Sequence, residues 1–386
     1  YYSLAFVAGM SILTACSSDD NNDNDGNGGN GNGNEIENGT ILKGTITSDV
    51  TLAAGNTYKL SGEYIVEEGA TLHIEEGVKI IAVYDDIADY ILVKQGGKIN
   101  AVGTPDKPIV MTSEKEEPGA WGGIHICGRA HTNAEGGKGS SEIGGAVYGG
   151  NDDADNSGTL QYIRLEYTGF AFDEEHEANG ISFYGVGNGT IVDHCQAYKG
   201  SDDGFEFFGG SVNVSNLVAV SCSDDSFDWT EGWNGKGTNL VAYQEDKSTL
   251  GYDCDCLMEC DNNGSNNAAT PVAHPVLKNL ILVGNGGSKQ GIRLRAGTEV
   301  EIDNAKVCGK GQPLTVETAL TENALKNGTS KLTNITLTSE LSCKEGIYTH
   351  ADFIAVTSNK VDANLSYSSF EDIKKECSWM NGSWVK

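Results

Sequence analysis

The near-repeat SDDGFEFF at residues 201–208 and SDDSFDWT at residues 223–230 indicates the fold of this chain. The two stretches start 22 residues apart and lie in a Gly- and Asn-rich run of short apolar segments. Self-similarity at such a period predicts a solenoid, because each unit can bury its apolar side only against its neighbours.

The surrounding sequence predicts strands as the repeating element. Short period-two alternations separated by glycine continue from residue 41 onwards. A sandwich is built from hairpins and a propeller repeats at roughly 40 residues, so neither matches this spacing. Phe183, Phe207 and Trp229 align at offsets of 24 and 22 residues, which predicts aromatic side chains stacked inside consecutive coils. The pattern therefore predicts an all-β, right-handed parallel β-helix with coils ~4.8 Å apart.

Several separated stretches resemble uncharacterised Bacteroidetes-type surface lipoproteins that carry a right-handed parallel β-helix domain. They are KPIVMTS at 107–113, PGAWGGI at 118–124, GTLQYIRLE at 158–166, GSDDGFEFFGG at 200–210 and GIRLRAGT at 291–298. The resemblance implies the fold and a secreted or surface-anchored location, and it implies no biochemical activity. The Cys-rich stretch and the carboxyl-terminal end depart from it.

The amino-terminal residues predict an export address. Residues 1–15 have the apolar stretch of a signal peptide, and LTAC at 13–16 resembles the lipobox of bacterial lipoproteins. That resemblance implies cleavage before Cys16 and attachment of lipid to Cys16, so that the membrane is a partner through the anchor. An acidic pair follows closely and resembles the signal that sends such lipoproteins to the outer face of the outer membrane.

The remaining chain is predicted to have three parts. Residues 16–38 comprise the lipidated cysteine and an Asn/Gly/Asp-rich tether, which is too polar to offset its own ordering entropy. Residues 39–345 form the β-helix, and residues 346–386 form a carboxyl-terminal cap. Phe370, Ile373 and Cys377 have the spacing of a short amphipathic helix, which we expect to cover the open end of the solenoid.

Two polar stretches, at about 130–157 and 244–270, are too long for ordinary connections between strands. We predict that they are lateral insertions. Insertions of this kind either build a binding surface on a rigid scaffold or are tolerated as disordered loops, and the sequence leaves both alternatives open.

The charge of the chain restricts its partners. It has 55 acidic against 26 basic side chains and a formal net charge of −29. Such a surface repels phosphate backbones, so nucleic acid is excluded as a partner. The charge either keeps an exported protein soluble or attracts cations and basic partners.

The repeated motif predicts a concentration of carboxylates on neighbouring coils. Three pairs are expected to lie side by side: Asp202 with Asp224, Asp203 with Asp225, and Glu206 with Asp228. Like charges so close repel one another, so the side chains must turn apart, bond to the backbone or share a cation. Turn-forming aspartates, a Ca²⁺ site and catalytic carboxylates all remain open, and no other cofactor is required.

Polysaccharide-degrading chemistry defines a second set of candidate residues. Glu206 and Asp228 could serve hydrolysis as a carboxylate pair. A lyase would also need a basic group, for which Arg293 is a candidate beside Arg164 and Arg295. The alternative is that these arginines point outward and pair with Glu166 or Glu299. No stretch of the sequence is a catalytic signature.

One tryptophan is a candidate for ligand contact. Trp233 lies in the turn EGWNG at 231–235, where an aromatic side chain facing solvent could stack on a sugar ring. Local packing is the alternative for Trp233. Trp229 aligns with Phe207 and is expected in the core.

Cysteine usage suggests one local crosslink. Apart from Cys16 the chain has nine cysteines, an odd number for an oxidising export route. Cys254, Cys256 and Cys260 predict a disulfide that staples their loop, with a soft-metal site as the alternative. The strand cysteines are expected to be small core residues: Cys127, Cys195 and Cys308.

Three functional hypotheses follow. The first is a non-enzymatic surface lipoprotein whose rigid β-helix presents loops that bind glycan or protein. The second is a polysaccharide-degrading lyase or hydrolase, and the third is a purely structural or adhesive surface component.

Overall fold

A computed structural model describes residues 34–85, 87–172 and 176–386. The predicted signal peptide, Cys16 and most of the predicted tether lie outside the described residues. In the described part of the chain, no helix is long and apolar enough to cross a membrane.

Strands are the main regular elements of the described residues. The amino-terminal strands are β1 (Asn34–Ile36), β2 (Ile41–Ile46), β3 (Val50–Leu52), β4 (Thr57–Val66), β5 (Thr71–Ile74), β6 (Lys79–Ala82), β7 (Tyr90–Val93), β8 (Lys98–Val102), β9 (Ile109–Ser113) and β10 (Ile124–Cys127). A small antiparallel hairpin follows, with β11 (Gly139–Ser140) and β12 (Val147–Tyr148).

The later strands are β13 (Gly158–Glu166), β14 (Ile181–Tyr184), β15 (Ile191–Tyr198), β16 (Phe205–Phe208), β17 (Asn213–Val220), β18 (Phe227–Thr230), β19 (Lys236–Tyr243), β20 (Met258–Cys260), β21 (Val276–Val283), β22 (Gln290–Leu294), β23 (Glu301–Cys308), β24 (Gln312–Val316), β25 (Lys331–Leu337), β26 (Ser342–Cys343) and β27 (Lys360–Val361). The helices are α1 (Lys247–Leu250), α2 (Ala319–Asn327), α3 (His350–Ala355) and α4 (Phe370–Glu376), with 3₁₀ turns at Glu135–Gly137 and Ser378–Met380.

The strands stack into three parallel ladders, one for each side of the coil. Ladder 1 begins with β1, β3, β5 and β8. Ladder 2 begins with the first halves of β2 and β4, followed by β6 and β9. Ladder 3 consists of the second halves of β2 and β4 and the short strands β7, β10, β14, β16, β18, β20, β22, β24 and β26. This architecture confirms the predicted all-β parallel solenoid.

Ladders 1 and 2 join at β13, whose two halves pair with β8 and β9. Gly158 begins β13 at a φ of 119°, and a Cβ there would lie 2.0 Å from the main-chain oxygen of Ile99. Only glycine therefore lets the long strand approach the coil before it so closely. From β13 onwards, single long strands serve both ladders.

The interior is filled by stacked apolar side chains. Phe183, Phe207 and Trp229 occupy equivalent positions of β14, β16 and β18, as predicted. The rings of Phe183 and Phe207 are 5.0 Å apart and nearly parallel. Leu, Ile and Val continue the same interior cluster along the ladders, and burial of this apolar surface is the main force that holds the coils together.

Both insertions are ordered parts of the structure. The first contains the β11–β12 hairpin, whose neighbours Ile143 and Ala146 pack on Leu92 and Tyr184, on the outside of ladder 3. The second contains α1 and also β20, which supplies a strand to ladder 3. In addition, β1 lies in the segment that the sequence assigns to the tether and pairs with β3.

The carboxyl-terminal region covers two different surfaces. Phe353 of α3 is fully buried in the interior cluster, beside the last coils. By contrast, Ile373 of α4 and Trp384 pack on outward-facing residues of ladder 2, including Val241 and Ile281. The amphipathic spacing did predict a buried helix face, but that face covers the side of the solenoid because ladder 2 presents apolar residues outward there.

Candidate functional site

The outward positions of ladder 3 form a column of polar side chains. Strand alternation sends Phe207 and Trp229 inward, so the residues before them point outward. Successive coils place the following residues in one register: Ser182, Glu206, Asp228, Glu259 and Arg293. The predicted neighbours Glu206 and Asp228 are therefore paired directly. We call this set the acidic column, and we include in it the aspartates of the turns before β16 and β18: Asp202, Asp203, Asp224 and Asp225.

The turn aspartates bond to the backbone of the next coil. Asp203 Oδ1 accepts the main-chain N–H of Asp225 at 2.8 Å, and Asp225 Oδ1 accepts that of Cys256 at 2.6 Å. A turn-forming aspartate ordinarily bonds the backbone within its own turn. The structure instead uses these carboxylates to tie one coil to the next, because the coils are stacked in register.

The carboxylates of the acidic column form overlapping groups. Three sets each have oxygen atoms within 4.8 Å of one another: Asp202 with Asp203 and Asp224; Asp203 with Glu206 and Asp228; Asp225 with Asp228 and Glu259. A fourth set joins Asp225 to Asp255 and the thiol of Cys256. Since the sets share members, the negative charge is continuous over several coils.

Burial makes this charge costly. Asp203 and Asp225 are buried. Asp228 Oδ1 is enclosed and has no hydrogen-bond partner among the described residues, although Asp228 as a whole is half-buried. Burial, together with the neighbouring carboxylates, raises the pKa of Asp202 to about 7. The same causes raise the pKa values of Asp203, Glu206 and Asp228 well above their usual range. The column therefore needs protons or a cation to be stable.

One end of the column is already neutralised by arginine. Arg293 Nη1 lies 2.9 Å from Glu259, and its Nε lies 3.2 Å from Glu317. Arg295 is paired with Glu259 and, at 2.7 Å, with Asp261. The prediction that Arg293 pairs with Glu299 is wrong, because the register of β22 places Arg293 beside Glu259 of β20. Arg164 does pair with Glu166, at 2.6 Å.

A second set of polar groups borders Glu206. Asn179 Nδ2 donates to Glu206 Oε2 at 2.5 Å and to Ser182 Oγ at 3.0 Å. Glu142 of the first insertion accepts a hydrogen bond from Tyr184 at 3.2 Å, and its charge also raises the pKa of Glu206. The first insertion thus adds another carboxylate to the acidic column.

The two insertions meet beside the column and enclose a groove of about 740 Å³. Asn133 Nδ2 of the first insertion donates to Asn262 Oδ1 of the second at 2.8 Å, and Asn263 donates to Asn133 Oδ1 at 3.0 Å. Amides, hydroxyls and carboxylates line this groove: Asn133, Glu135, Thr230, Glu231, Asn263 and Asn266. The sequence did not predict the meeting of the insertions, although their shared Asn content was a signal.

Trp233 does not face this groove or solvent. It is 1% exposed, and its ring stacks on that of Phe207 at 4.1 Å. The indole N–H donates to the main-chain oxygen of Val212 at 3.2 Å. The expectation of an exposed sugar platform at Trp233 is therefore wrong, because the glycine-flanked turn folds the side chain back into the interior.

The cysteines do not form the predicted staple. All nine cysteines of the described residues are free, and eight of them are buried. Cys260 points into the interior, where its neighbours on the adjacent coils are Trp229 and Leu294. The register of β20 therefore separates the Cys260 side chain from Cys254 and Cys256. Cys127, Cys195 and Cys308 are buried, as predicted.

Comparison with known proteins agrees with the geometry. A family model described as a pectate-lyase like beta helix domain matches residues 44–386. No curated protein and no solved structure matches the chain. Because the matched region spans most of the sequence and coincides with the three ladders, the chain belongs to the family of pectate-lyase like β-helix domains.

Proposed function

We propose that the chain is a lipid-anchored cell-surface protein that binds glycan on the outer face of ladder 3 without turning it over, with Ca²⁺ held in the acidic column. One observation carries the proposal: the acidic column and the groove between the insertions share a face. Asp228 belongs to the column and Thr230 to the groove, and both project outward from β18.

The residues of the column fit Ca²⁺. This ion takes six to eight oxygen ligands, and carboxylates are its common protein ligands. Asp203, Glu206 and Asp228 bring oxygen atoms within 4.8 Å of one another, and in the part of the chain that the structure describes the enclosed Oδ1 of Asp228 has no hydrogen-bond partner. A bound ion would neutralise the column and offer its remaining coordination positions to ligand hydroxyls or carboxylates.

The arginines favour binding over lyase chemistry. A lyase needs a basic group that is free to take a proton from the substrate. Arg293 and Arg295 are each engaged by two carboxylates, which hold them in their charged form and in fixed positions. The arginines of this face therefore serve its structure in the proposal.

Hydrolysis is the second candidate, and one observation favours it. Glu206 and Asp228 are direct register neighbours, with oxygen atoms within 4.8 Å. Retaining glycosidases hold their two carboxyl groups about 5 to 5.5 Å apart, and one of them has a raised pKa. In this pair the carboxyl oxygens are close enough for such a role, although burial and neighbouring carboxylates raise the pKa values of both groups.

A panel of soluble polysaccharides tests the proposal. The purified protein is assayed for retention by affinity electrophoresis and for released product, in Ca²⁺ and in a chelator. We expect retention in Ca²⁺ without product, and its loss in Asp228→Asn but not in the control Glu345→Gln, an exposed acid elsewhere on the chain. Product release would replace binding by the enzymatic alternative. Absence of retention on every polysaccharide would contradict glycan binding and favour a protein partner or a structural or adhesive role.

The membrane anchor is tested separately. Residues 13–16 support it, since they match the pattern of a lipidated cysteine. Labelling of expressing cells with a radioactive fatty acid should mark the protein, and Cys16→Ser should abolish the label. Protease treatment of intact cells should remove the domain if it is exposed at the surface. An unlabelled protein would refute the anchor.

A further inference from the structure

A second polar feature runs along the corner between ladders 1 and 2, away from the acidic column. Each long strand bends there at one residue with a positive φ, and from β17 onwards every such residue is asparagine: Asn216, Asn239, Asn279, Asn304 and Asn334. Asparagine tolerates this left-handed conformation better than most residues. The register of the strands places these asparagines one above another.

The side chains of the first four asparagines bond to one another, whereas Asn334 Nδ2 donates to Asp303 Oδ1. Asn239 Nδ2 donates to Asn216 Oδ1 at 2.8 Å, and Asn279 Nδ2 donates to Asn239 Oδ1 at 3.0 Å. Asn304 Nδ2 continues the ladder to Asn279 Oδ1 at 2.9 Å. Asn279 and Asn304 are exposed to solvent.

The hydrogen bonds between described residues use half of the capacity of the asparagine side chains in this ladder. A carboxamide has two N–H donors and an oxygen that accepts two bonds. Within the ladder, Asn239 and Asn279 each use one donor and one acceptor position. Each coil therefore offers one further N–H and one further acceptor, repeated every ~4.8 Å along the solenoid.

An aromatic side chain stands beside this ladder. Trp379, which follows α4, is half-buried, whereas the other four tryptophans are almost fully buried: Trp121, Trp229, Trp233 and Trp384. Trp379 lines a groove of about 250 Å³ together with three of the asparagines: Asn239, Asn279 and Asn304. Lys306 and Glu376 in the same groove are paired with each other, so they add little net charge.

A further groove of about 500 Å³ lies on the ladder 1 side of the same corner, lined in part by Lys278, Asp303 and Asn334. The asparagines thus border two depressions, Asn239, Asn279 and Asn304 the first and Asn334 the second. Each depression is open, and its lining combines polar with apolar residues. Such a shape suits a chain that crosses the surface better than a small molecule that must be enclosed.

We propose that this corner is a second binding site, for a neutral polysaccharide that lies along the solenoid axis. A sugar ring stacks on Trp379, and hydroxyl pairs on successive rings bond the free donor and acceptor of Asn239, Asn279 and Asn304. Aromatic rings present an apolar face that suits the C–H face of a sugar, while the amides match its hydroxyls. The site uses no cation, so it is independent of the acidic column.

Oligosaccharide binding by the full chain tests this site. The probes are hexamers of β-linked glucose, xylose and mannose, titrated in a chelator by calorimetry and by tryptophan fluorescence. At least one hexamer should bind, and its emission change should be lost in Trp379→Ala. Asn279→Gly removes one amide while glycine keeps the left-handed bend at a φ of 60°, so this variant should fold normally. Both variants should weaken binding at least tenfold.

Two controls separate this proposal from the site on ladder 3. Tyr84→Ala removes an exposed aromatic side chain elsewhere on the surface, and Asp228→Asn alters the acidic column. Both should bind the hexamer as the unaltered protein does. If no hexamer binds in the chelator, or if Trp379→Ala and Asn279→Gly bind with unchanged affinity, the corner site is refuted, whatever the outcome of the calcium-dependent assay.

Discussion

Glu206 and Asp228 lie directly beside each other on adjacent parallel strands, with carboxylate oxygens within 4.8 Å. Register forces this arrangement, since the aromatic residues that follow both acids are committed to the interior column. The backbone positions of the two acids therefore cannot move apart without disturbing the core. Because their oxygens lie so close together, the repulsion between the two carboxylates must be relieved by protonation or by a cation.

The stability of the cation-free protein should depend on pH. The pKa of Asp202 is raised from 3.8 to about 7 and that of Asp224 to about 6, so the folded state holds protons that the unfolded chain releases. The stabilisation from these groups is complete below about pH 4 and is lost as the pH rises through 6 and 7. In a chelator, we expect a lower unfolding midpoint at pH 8 than at pH 6.

Circular dichroism melts at several pH values measure this dependence. Each bound proton contributes at most about 1.4 kcal/mol per pH unit, and less for Asp224 because its side chain is exposed. Asp202→Asn should flatten the pH dependence of the unfolding midpoint. Addition of Ca²⁺ should raise the midpoint at pH 8 to its value at pH 6. A midpoint that rises from pH 6 to pH 8 in the chelator would show that other groups dominate.

Replacing Asp228 by Asn should have opposite effects with and without Ca²⁺. In a chelator at pH 8, the loss of a buried like charge should stabilise the fold by about 1 to 3 kcal/mol. In Ca²⁺, the variant should lack the stabilisation by ligand, which is about 2.7 kcal/mol when the ion is present at 100 times its dissociation constant. The unfolding midpoint, measured at increasing Ca²⁺ concentrations, separates the effect of the lost charge from the effect of the lost Ca²⁺ ligand. An equal shift in Asp228→Asn and in Glu345→Gln would falsify a site at Asp228.

Removal of Arg293 should destabilise the protein more than removal of an exposed arginine. Arg293→Met leaves Glu259 and Glu317 each with one cation, since Arg295 and Lys344 remain. Breaking a buried ion pair costs about 3 to 5 kcal/mol, and the remaining partners should reduce this to about 2. Urea unfolding gives the free energy.

The control is Arg129→Met, because the pair of Arg129 with Glu68 is exposed on both sides. Its loss should change the free energy of unfolding by less than about 1 kcal/mol. Equal effects of the two substitutions would mean that the arginines of ladder 3 contribute no more than surface charges.

The sequence was sufficient for the features that depend on period alone. The 22-residue offset fixed which residues are neighbours, so Phe207 with Trp229 and Glu206 with Asp228 were predicted correctly. Each of these positions follows from alternation within a strand and from stacking between coils. No knowledge of loops is needed for either.

Features that depend on loop paths could not be predicted. The contact between Asn133 and Asn262 joins residues 129 positions apart in insertions without any period. The free state of Cys260 likewise depends on a strand, β20, inside a stretch that resembled a loop. The packing of α4 on ladder 2 depends on outward apolar residues, which the sequence does not distinguish from inward ones in a strand buried on both faces.

The burial of Trp233, which the sequence predicted to face solvent, can be tested directly. Its turn has glycine on both sides, which is typical of a surface loop, yet its ring lies between Phe207 and Trp229, at 4.1 and 5.8 Å from their centroids. Trp233→Ala would leave a cavity in the interior column and should destabilise the protein by about 3 to 5 kcal/mol. Tyr84→Ala, at a side chain that is 52% exposed, should cost less than about 1 kcal/mol. Urea unfolding of both variants decides the matter, and a Trp233→Ala protein as stable as Tyr84→Ala would place Trp233 back at the surface.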